Sequence, residues 1–308
     1  MDAKEIKRKQ RRKKYKGIGF VLPWLFGFTI FALLPSIYSF YMSLTDWGLV
    51  GPNEGFIGFR NYVTAFQSSD FWNSLSVTVR FVIWAVPLGM AASLTSALIL
   101  NSNVKGVSIF RGLNYVPTLA SGVAIAVMWG WIFSPHGGLL NMIIGVFGFH
   151  GAWLFDPKLV VPSYIIMAVW GAFSGFLTYL VAIKEVPRSL IESSRILGMG
   201  YFERLFKVTI PLMRPILIYN FIMAIIGGFR KFSDAYVLGG AGDSGKFYMV
   251  YFYQQAFGNF RMGYAVALAW ILFVIVMSLM LIVYKRTPFW EYYSGMKKKK
   301  VKKHVRKA

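Results

Sequence analysis

The sequence predicts an all-α integral membrane protein with about six transmembrane helices and both termini in the cytoplasm. Three observations point to this fold class. Of the 308 residues, 56% are hydrophobic, which is more than a soluble domain of this size usually carries. The apolar residues are gathered in six long runs. The net charge of +22 is concentrated between and beyond those runs.

Each apolar run is long enough to cross a bilayer, because about 20 helical residues span a hydrocarbon core of roughly 30 Å. In chain order the runs are Ile18–Met42, Phe81–Leu100, Gly112–Phe133, Leu159–Ile183, Ile216–Leu238 and Met262–Tyr284. The first run is too long for a signal-peptide core and no small-residue cleavage pattern follows it, so we expect it to be retained. Residues Phe71–Val79, just before the second run, are expected to form a short helix along the outer interface.

The distribution of lysine and arginine predicts the orientation. Of the 34 basic residues, 27 fall in residues 1–17, 101–111, 184–214 and 285–308. Because short cytoplasmic segments carry the excess of Lys and Arg, these segments are expected on the cytoplasmic side. The chain then divides into a basic tail (1–17), a transmembrane domain (18–285) and a second basic tail (286–308).

A polar insert at residues 185–215 separates the fourth and fifth runs. Pro187 suits the first turn of a helix, where its missing N–H removes no hydrogen bond. Gly198 suits the left-handed position just past a helix end. A second short helix is expected over Tyr201–Thr209, ended by Pro211. The insert is therefore predicted to be helix, glycine break and helix, on the cytoplasmic side.

Three basic residues lie within or close to the runs: Arg80, Arg230 and Lys231. Charges in such positions are costly and commonly functional, so they are candidates for lining a substrate path. Arg230 and Lys231 have two other interpretations, since they could extend to the outer interface or pair with Asp234.

Aromatic residues are abundant, at 18% of the chain. Trp170, Tyr179 and Tyr236 are further candidates for the substrate path, because aromatic faces pack on the apolar faces of sugar rings. Membrane proteins also place aromatic residues at the two interfaces, so that interpretation stays open for each of them.

Several function classes are excluded by what the sequence lacks. It has no cysteine, which excludes disulfides, thiolate metal sites and cysteine nucleophiles. No Gly-x-x-x-x-Gly-Lys-Ser/Thr motif is present, so the chain carries no P-loop for ATP. The three histidines are isolated from one another. We therefore expect no catalytic residue, no metal site, no cofactor bound by this chain and no nucleic-acid partner.

The insert resembles the cytoplasmic coupling loop of the inner-membrane permease subunits of binding-protein-dependent ABC importers, in the maltose-type sugar branch. The matching positions are Glu192-Ser193-Ser194, Gly198, Phe206, Ile210-Pro211 and Pro215. Leu197 stands where that family usually has Asp, and Met199 where it has Ala. Leu44–Trp47, Gly58–Tyr62 and Phe71-Trp72 are similar to the first outer loop of the sugar branch.

This resemblance implies a role in a bacterial or archaeal cytoplasmic membrane. The chain would enclose half of a translocation path, with a second permease subunit enclosing the other half. Two cytoplasmic ATPase subunits would bind ATP and Mg²⁺, and an extracytoplasmic solute-binding protein would deliver an oligosaccharide, neutral or acidic. The implied contacts with the ATPase are Arg188, Glu192, Ser193, Ser194, Gly198 and Tyr201. Membrane lipids are the remaining expected partner.

The alternative is a stand-alone secondary carrier or channel for a small polar solute. Such carriers commonly bind coupling ions at charged residues near the bilayer midplane. The six runs contain no obvious acidic relay, and the largest polar feature is the insert. The sequence therefore favours the importer subunit.

Overall fold

The computed structural model describes residues 21–48, 55–102 and 105–286. The basic tail at 1–17, the first residues of the first predicted span and all of the second basic tail after Arg286 lie outside the described residues. Within the described part the chain is helical and forms no strand, apart from one isolated bridge between Thr45 and Phe56.

The helices are numbered here in chain order. They are α1 Val21–Ser43, α2 Arg60–Gln67, α3 Ser69–Leu100, α4 Val107–Tyr115, α5 Gly122–Ile132, α6 Leu139–Gly145, α7 Val160–Ala172, α8 Phe176–Glu185, α9 Arg188–Ile196, α10 Tyr201–Arg204, α11 Ile210–Leu212, α12 Arg214–Phe229, α13 Ser233–Leu238, α14 Tyr248–Tyr253 and α15 Met262–Arg286. Short 3₁₀ or π segments join several of them.

Within residues 21–48, 55–102 and 105–286, five stretches are long and apolar enough to cross a membrane. These are Val21–Ser43, Ser69–Leu100, Val160–Glu185, Arg214–Leu238 and Met262–Arg286. A sixth crossing is obtained if the bent pair Val107–Leu119 and Gly122–Ile132 counts as one span. The prediction of an all-α protein with about six membrane-spanning helices is thus confirmed.

The third predicted span is not one continuous helix. The apolar run Gly112–Phe133 is divided between two segments, Val107–Leu119 and Gly122–Ile132, that meet at 100°. Pro117 lies in a 3₁₀ turn at the end of the first segment, and Ser121 caps the second by accepting a hydrogen bond from the Ala124 N–H at 3.2 Å. A proline without its N–H next to a new helix cap ends one helix and starts another.

The second span begins earlier than predicted. Phe71–Val79 is not a separate interfacial helix but the first part of α3, which runs unbroken from Ser69 to Leu100. The Ser68 side chain accepts the Phe71 N–H at 3.4 Å, and Asp70 lies in the first turn. Both features are favourable at a helix N-terminus.

The described residues group into two compact units. One consists of the residues up to Gln67 together with Tyr253–Leu272. Within it, the Asn61 side-chain amide donates to the carbonyls of Ser43 at 2.9 Å and Thr45 at 3.0 Å. These bonds fix the loop after α1 to helix α2.

The second unit consists of Ser68–Phe252 and the residues from Phe273 onward. Helix α3 is its centre and packs against α7, α8 and α12. A buried cluster forms where these helices meet the insert, and it is made of Ala97, Leu100, Phe176, Tyr179, Leu180, Ala182, Val186 and Met213. Because Val186 and Met213 lie near the two ends of the insert, the cluster anchors the insert to the spans.

Candidate functional site

A cavity of about 400 Å³ lies among α3, α7, α8 and α12. Its lining is Phe81, Ala85, Val86, Gly89, Met90, Ser93, Ala168, Ala172, Gly175, Tyr179, Asn220, Met223, Ala224, Gly227, Gly228 and Lys231. Most of these side chains are small or apolar. Small-molecule sites usually have this composition, with a few polar groups placed among apolar side chains.

Close packing of α3 against the α7–α8 segment shapes one wall of this cavity. The Ser93 hydroxyl donates to the Ala172 carbonyl at 2.5 Å. A methyl group added to Gly89 would lie 3.2 Å from the Ala172 side chain, which is tighter than most real contacts. Small residues at such positions let transmembrane helices approach closely.

Asn220 and Tyr179 supply hydrogen-bonding groups to the cavity. The Asn220 side-chain amide donates to the Ile216 carbonyl at 2.9 Å, and its oxygen accepts from the Thr178 hydroxyl at 3.3 Å. Tyr179 is almost fully buried. The sequence pattern predicted Tyr179 as a residue of the substrate path and Ser93 as a small residue at a close helix contact. It did not indicate Asn220, since a single polar residue in an apolar run has no distinctive spacing.

Lys231 lies at the break between α12 and α13 and also lines the cavity. Its ammonium group is 2.5 Å from the Asp234 carboxylate. The same group lies 4.8 Å from the ring centre of Phe81 and 5.1 Å from that of Tyr164. Lys231 therefore pairs with Asp234 and also lines the cavity, and the aromatic faces add cation–π attraction. Its role in the substrate path stays a prediction.

The other four candidates for the substrate path lie outside the cavity lining. Arg80 and Arg230 are exposed, and the Arg80 Nε donates to the Ser76 carbonyl at 3.4 Å. The Trp170 ring meets Trp129 edge to face at 5.7 Å. Tyr236 stacks on Phe232 at 5.3 Å. Their role in transport stays a prediction.

The insert has the predicted helix, glycine break and helix. Helix α9 ends in a Schellman motif, in which the N–H of Gly198 donates to the Arg195 carbonyl at 2.9 Å and that of Met199 to the Ser194 carbonyl at 3.1 Å. This motif needs a left-handed residue, and Gly198 has φ of +76°.

The end of the second insert helix differs from the prediction. Pro211 does not stop it, because the chain passes from α10 through a π segment at Leu205–Thr209 into α11. In the π segment the Ile210 N–H donates to the Leu205 carbonyl, five residues back. The wider turn accommodates a proline whose N–H would otherwise be needed.

Several large apolar side chains are exposed on the insert, and four of them are more than 60% exposed. We call these four the insert tip: Ile196, Leu197, Phe202 and Phe206. Ile196 is 87% exposed, Leu197 74%, Phe202 71% and Phe206 64%. A cluster of exposed apolar side chains outside the bilayer usually marks a protein interaction surface.

A basic groove of about 900 Å³ lies between the insert and the end of α3. Three of the residues expected to contact the ATPase line it, namely Arg188, Glu192 and Tyr201. Of the other three, Ser193 and Gly198 are exposed, whereas Ser194 is buried and its hydroxyl donates to the Ile191 carbonyl at 2.6 Å. None of the ion pairs among the described residues involves Glu192.

One exposed ion pair lies on the insert, where the Lys207 ammonium is 2.7 Å from the Glu203 carboxylate. The hydrogen bond from Lys207, with its positive charge, lowers the pKa of Glu203. The pair spans one turn at i,i+4, so it supports the local helix. No cluster of three His, Cys, Asp or Glu side chains that could hold a metal occurs in the described part of the chain.

Comparison with known proteins decides the family. Residues 62–286 match the model of the binding-protein-dependent transport system inner membrane component. The chain belongs to this family. The predicted resemblance to the permease subunits of binding-protein-dependent ABC importers is thus confirmed, and as a family member the chain is a multi-pass membrane protein.

Two relatives align with nearly the full length of this chain. A probable ABC transporter permease protein of Bacillus subtilis, YesP, is 34% identical over 96% of this chain and 97% of its own length. The trehalose/maltose transport system permease protein MalF of Thermococcus litoralis is 30% identical over 92% and 98%, respectively.

A solved structure shares the fold. It is a chain of a bacterial ABC transporter involved in the import of the acidic polysaccharide alginate, with a TM-score of 0.75 and 21% identity. The alignment covers 90% of this family member and 96% of that chain.

Proposed function

We propose that this protein is the permease subunit of an ATP-driven importer for a carbohydrate, and that its insert receives force from a separate ATPase. The subunit would pair with a second permease, and an extracytoplasmic binding protein would deliver the sugar. This extends the family assignment to a cargo and to a set of partners.

The insert tip is the single observation that carries the coupling role. Its four exposed side chains lie at the end of α9, in α10 and in the π segment that follows, on both sides of the Schellman motif at Gly198. The free energy cost of exposing them to water favours burial in a partner protein. Arg188 and Arg195 nearby would complement an acidic rim around an apolar cleft.

A carbohydrate cargo is supported by the relatives and by the chemistry of the cavity. The permease of Thermococcus litoralis belongs to a trehalose/maltose system, and another relative, from Bacillus subtilis and 29% identical, to an arabinooligosaccharide system. The cavity combines hydroxyl and amide groups of Ser93, Tyr179 and Asn220 with small apolar side chains. Sugars need both hydrogen bonds and apolar contact.

In this proposal ATP and Mg²⁺ bind to the partner ATPase. The chain has no P-loop motif of its own. Closure of the ATPase subunits would displace the insert, and the cluster around Val186 and Met213 would transmit that displacement to α8 and α12. The walls of the cavity would then move relative to the membrane surfaces.

The experiment compares two exposed phenylalanines in the assembled importer. Phe202 is 71% exposed on the insert tip and Phe147 is 75% exposed in the segment after α6. We expect Phe202→Gln to reduce copurification of the ATPase and ATP-driven uptake of labelled oligosaccharide into proteoliposomes. The matched variant Phe147→Gln should leave both unchanged.

Two results would contradict the proposal. Full ATPase binding and uptake by the Phe202→Gln variant would show that the tip is not the docking surface. Uptake by the purified permease alone, without ATP or any ATPase, would show that the chain is a stand-alone carrier.

A further inference from the structure

A second groove, which we call the lateral groove, opens on the side of the spans among α3, α12 and α15. It has a volume of about 420 Å³. Its lining is Met90, Leu217, Ile218, Phe221, Ile282, Val283 and Arg286. Six of these residues are apolar, and all lie within one of the two compact units.

Two helices supply apolar stripes that end in an arginine. On α12 the stripe Leu217, Ile218 and Phe221 continues one turn back to Arg214, since residues three and four apart share a helix face. On α15 the stripe Ile282 and Val283 continues to Arg286. Arg214 is the first residue of α12 and Arg286 the last of α15.

Both arginines therefore lie at ends of membrane-spanning helices, where a bilayer has its headgroups. Both side chains are exposed, and neither takes part in an ion pair among the described residues. Lys285 lies at the same helix end but does not line the groove. No carboxylate in the described part of the chain forms an ion pair with these two arginines.

We infer that the lateral groove binds one anionic phospholipid, with an acyl chain against the apolar stripes and the headgroup phosphate at Arg286 and Arg214. Basic pockets between transmembrane helices are known to hold anionic headgroups. The volume of the groove is that of a small-molecule site, for which about 300–1,000 Å³ is usual. This inference goes beyond the proposed function, because it concerns a ligand that is not transported.

A phospholipid matches the groove at both ends. Its chain is apolar where the lining is apolar, and its phosphate is anionic where the lining is cationic. A free phosphate would have no apolar part to pack against the six apolar lining side chains. A packed helix of the second permease would need an acidic residue at the level of the two arginines.

The test uses the complete importer in nanodiscs of phosphatidylcholine with or without about a quarter phosphatidylglycerol, and counts retained lipids by native mass spectrometry. We expect the wild type to retain phosphatidylglycerol in preference to phosphatidylcholine. Arg286→Gln should lower that preference about fivefold, as expected for one arginine near an anionic surface.

Lys285→Gln is the matched control, because it removes the same charge at the neighbouring position outside the groove lining. It should retain the lipid. Ile218→Trp fills the apolar part and should reduce retention while leaving Arg286 in place. Soluble glycerol phosphate should not compete with the lipid, since it lacks the acyl chain.

Three outcomes would overturn the inference. One is equal retention by wild type, Arg286→Gln and Ile218→Trp. Another is displacement of the lipid by glycerol phosphate, which would indicate an anion site alone. The third is efficient disulfide crosslinking of an Ile282→Cys variant to a cysteine in the second permease, which would show that a protein helix covers the groove.

Discussion

The ammonium group of Lys231 and the carboxylate of Asp234 lie 2.5 Å apart, on the two sides of the start of α13. The lysine side chain is 10% exposed and the aspartate side chain 22%. The aspartate also accepts the Ala235 N–H at 3.0 Å. This pair stabilises the break in the fifth span by neutralising a charge beside the cavity.

Removing the carboxylate alone should therefore lower the free energy of unfolding more than removing both charges. Asp234→Asn leaves a desolvated ammonium without an anion, and we expect it to lower the free energy of unfolding by about 3 kcal/mol. The double variant Lys231→Met/Asp234→Asn should recover most of this loss. Thermal unfolding of the purified complex in detergent measures both. A double variant no more stable than Asp234→Asn would show that the loss does not come from an unpaired ammonium group.

The glycine break in the insert should be required for transport. Gly198 has φ of +76° and no atom within 4 Å of an added Cβ, so a larger residue there is opposed by backbone strain and not by contact. That strain is about 1–2 kcal/mol. We expect Gly198→Leu to abolish uptake while membrane insertion and yield are kept.

Gly200 provides the control for that variant. Its φ is −65° and it too has open space around an added Cβ. Gly200→Ala should transport normally. Uptake at the wild-type rate by Gly198→Leu would show that transport does not require the glycine break in the insert.

Filling the cavity should block transport without unfolding the protein. Ala224 lines the cavity, and Ala224→Trp would occupy much of its volume. Ile83 is 59% exposed on α3 and lies outside the lining, so Ile83→Trp tests the effect of a bulky residue elsewhere. Oligosaccharide uptake into proteoliposomes distinguishes the two. Equal uptake by both variants would mean that the cargo passes by another route.

Asn141 should control the order of the segment between α5 and α7. Its amide donates to the carbonyls of Pro135 and Gly151, and its oxygen accepts from the Gly151 N–H at 3.0 Å and the Trp153 Nε1–H at 2.8 Å. Asn141→Ala leaves these groups unpaired, which we expect to cost about 2–3 kcal/mol.

Hydrogen exchange of residues 134–158 measures that loss. The Asn73→Ala variant removes one exposed hydrogen bond, to the Asp243 carbonyl at 2.6 Å, and should change exchange only locally. Unchanged exchange in the Asn141→Ala variant would show that the loop is held by its apolar contacts instead.

The spans were predictable because the bilayer imposes a length and a composition that any local window detects. The bend in the third span could not be predicted from hydropathy, because the segments on both sides of it are apolar. Only Pro117 and Ser121 mark the place where one helix ends and the next begins. The early start of α3 was missed for the opposite reason. Its first turns contain Asn73, Ser74 and Ser76, which lower the local hydropathy although the helix continues.

The insert was predictable from local rules, because a Schellman motif depends on one glycine and its immediate neighbours. The surroundings of Lys231 were only partly predictable. Its ion-pair partner Asp234 is only three residues away in the sequence. The rings of Phe81, Tyr164 and Phe247, which also surround the ammonium group, come from distant parts of the chain. Tertiary packing alone brings those rings together.

The hydrogen bond from Ser93 to Ala172 has a mechanical consequence. Because it ties two closely packed helices, α3 and α7 cannot slide past each other without breaking it. Helix α12 supplies the facing wall of the cavity and begins at Arg214, at the end of the insert. In the proposed importer, a push on the insert would therefore move α12 against the paired helices and change the width of the cavity.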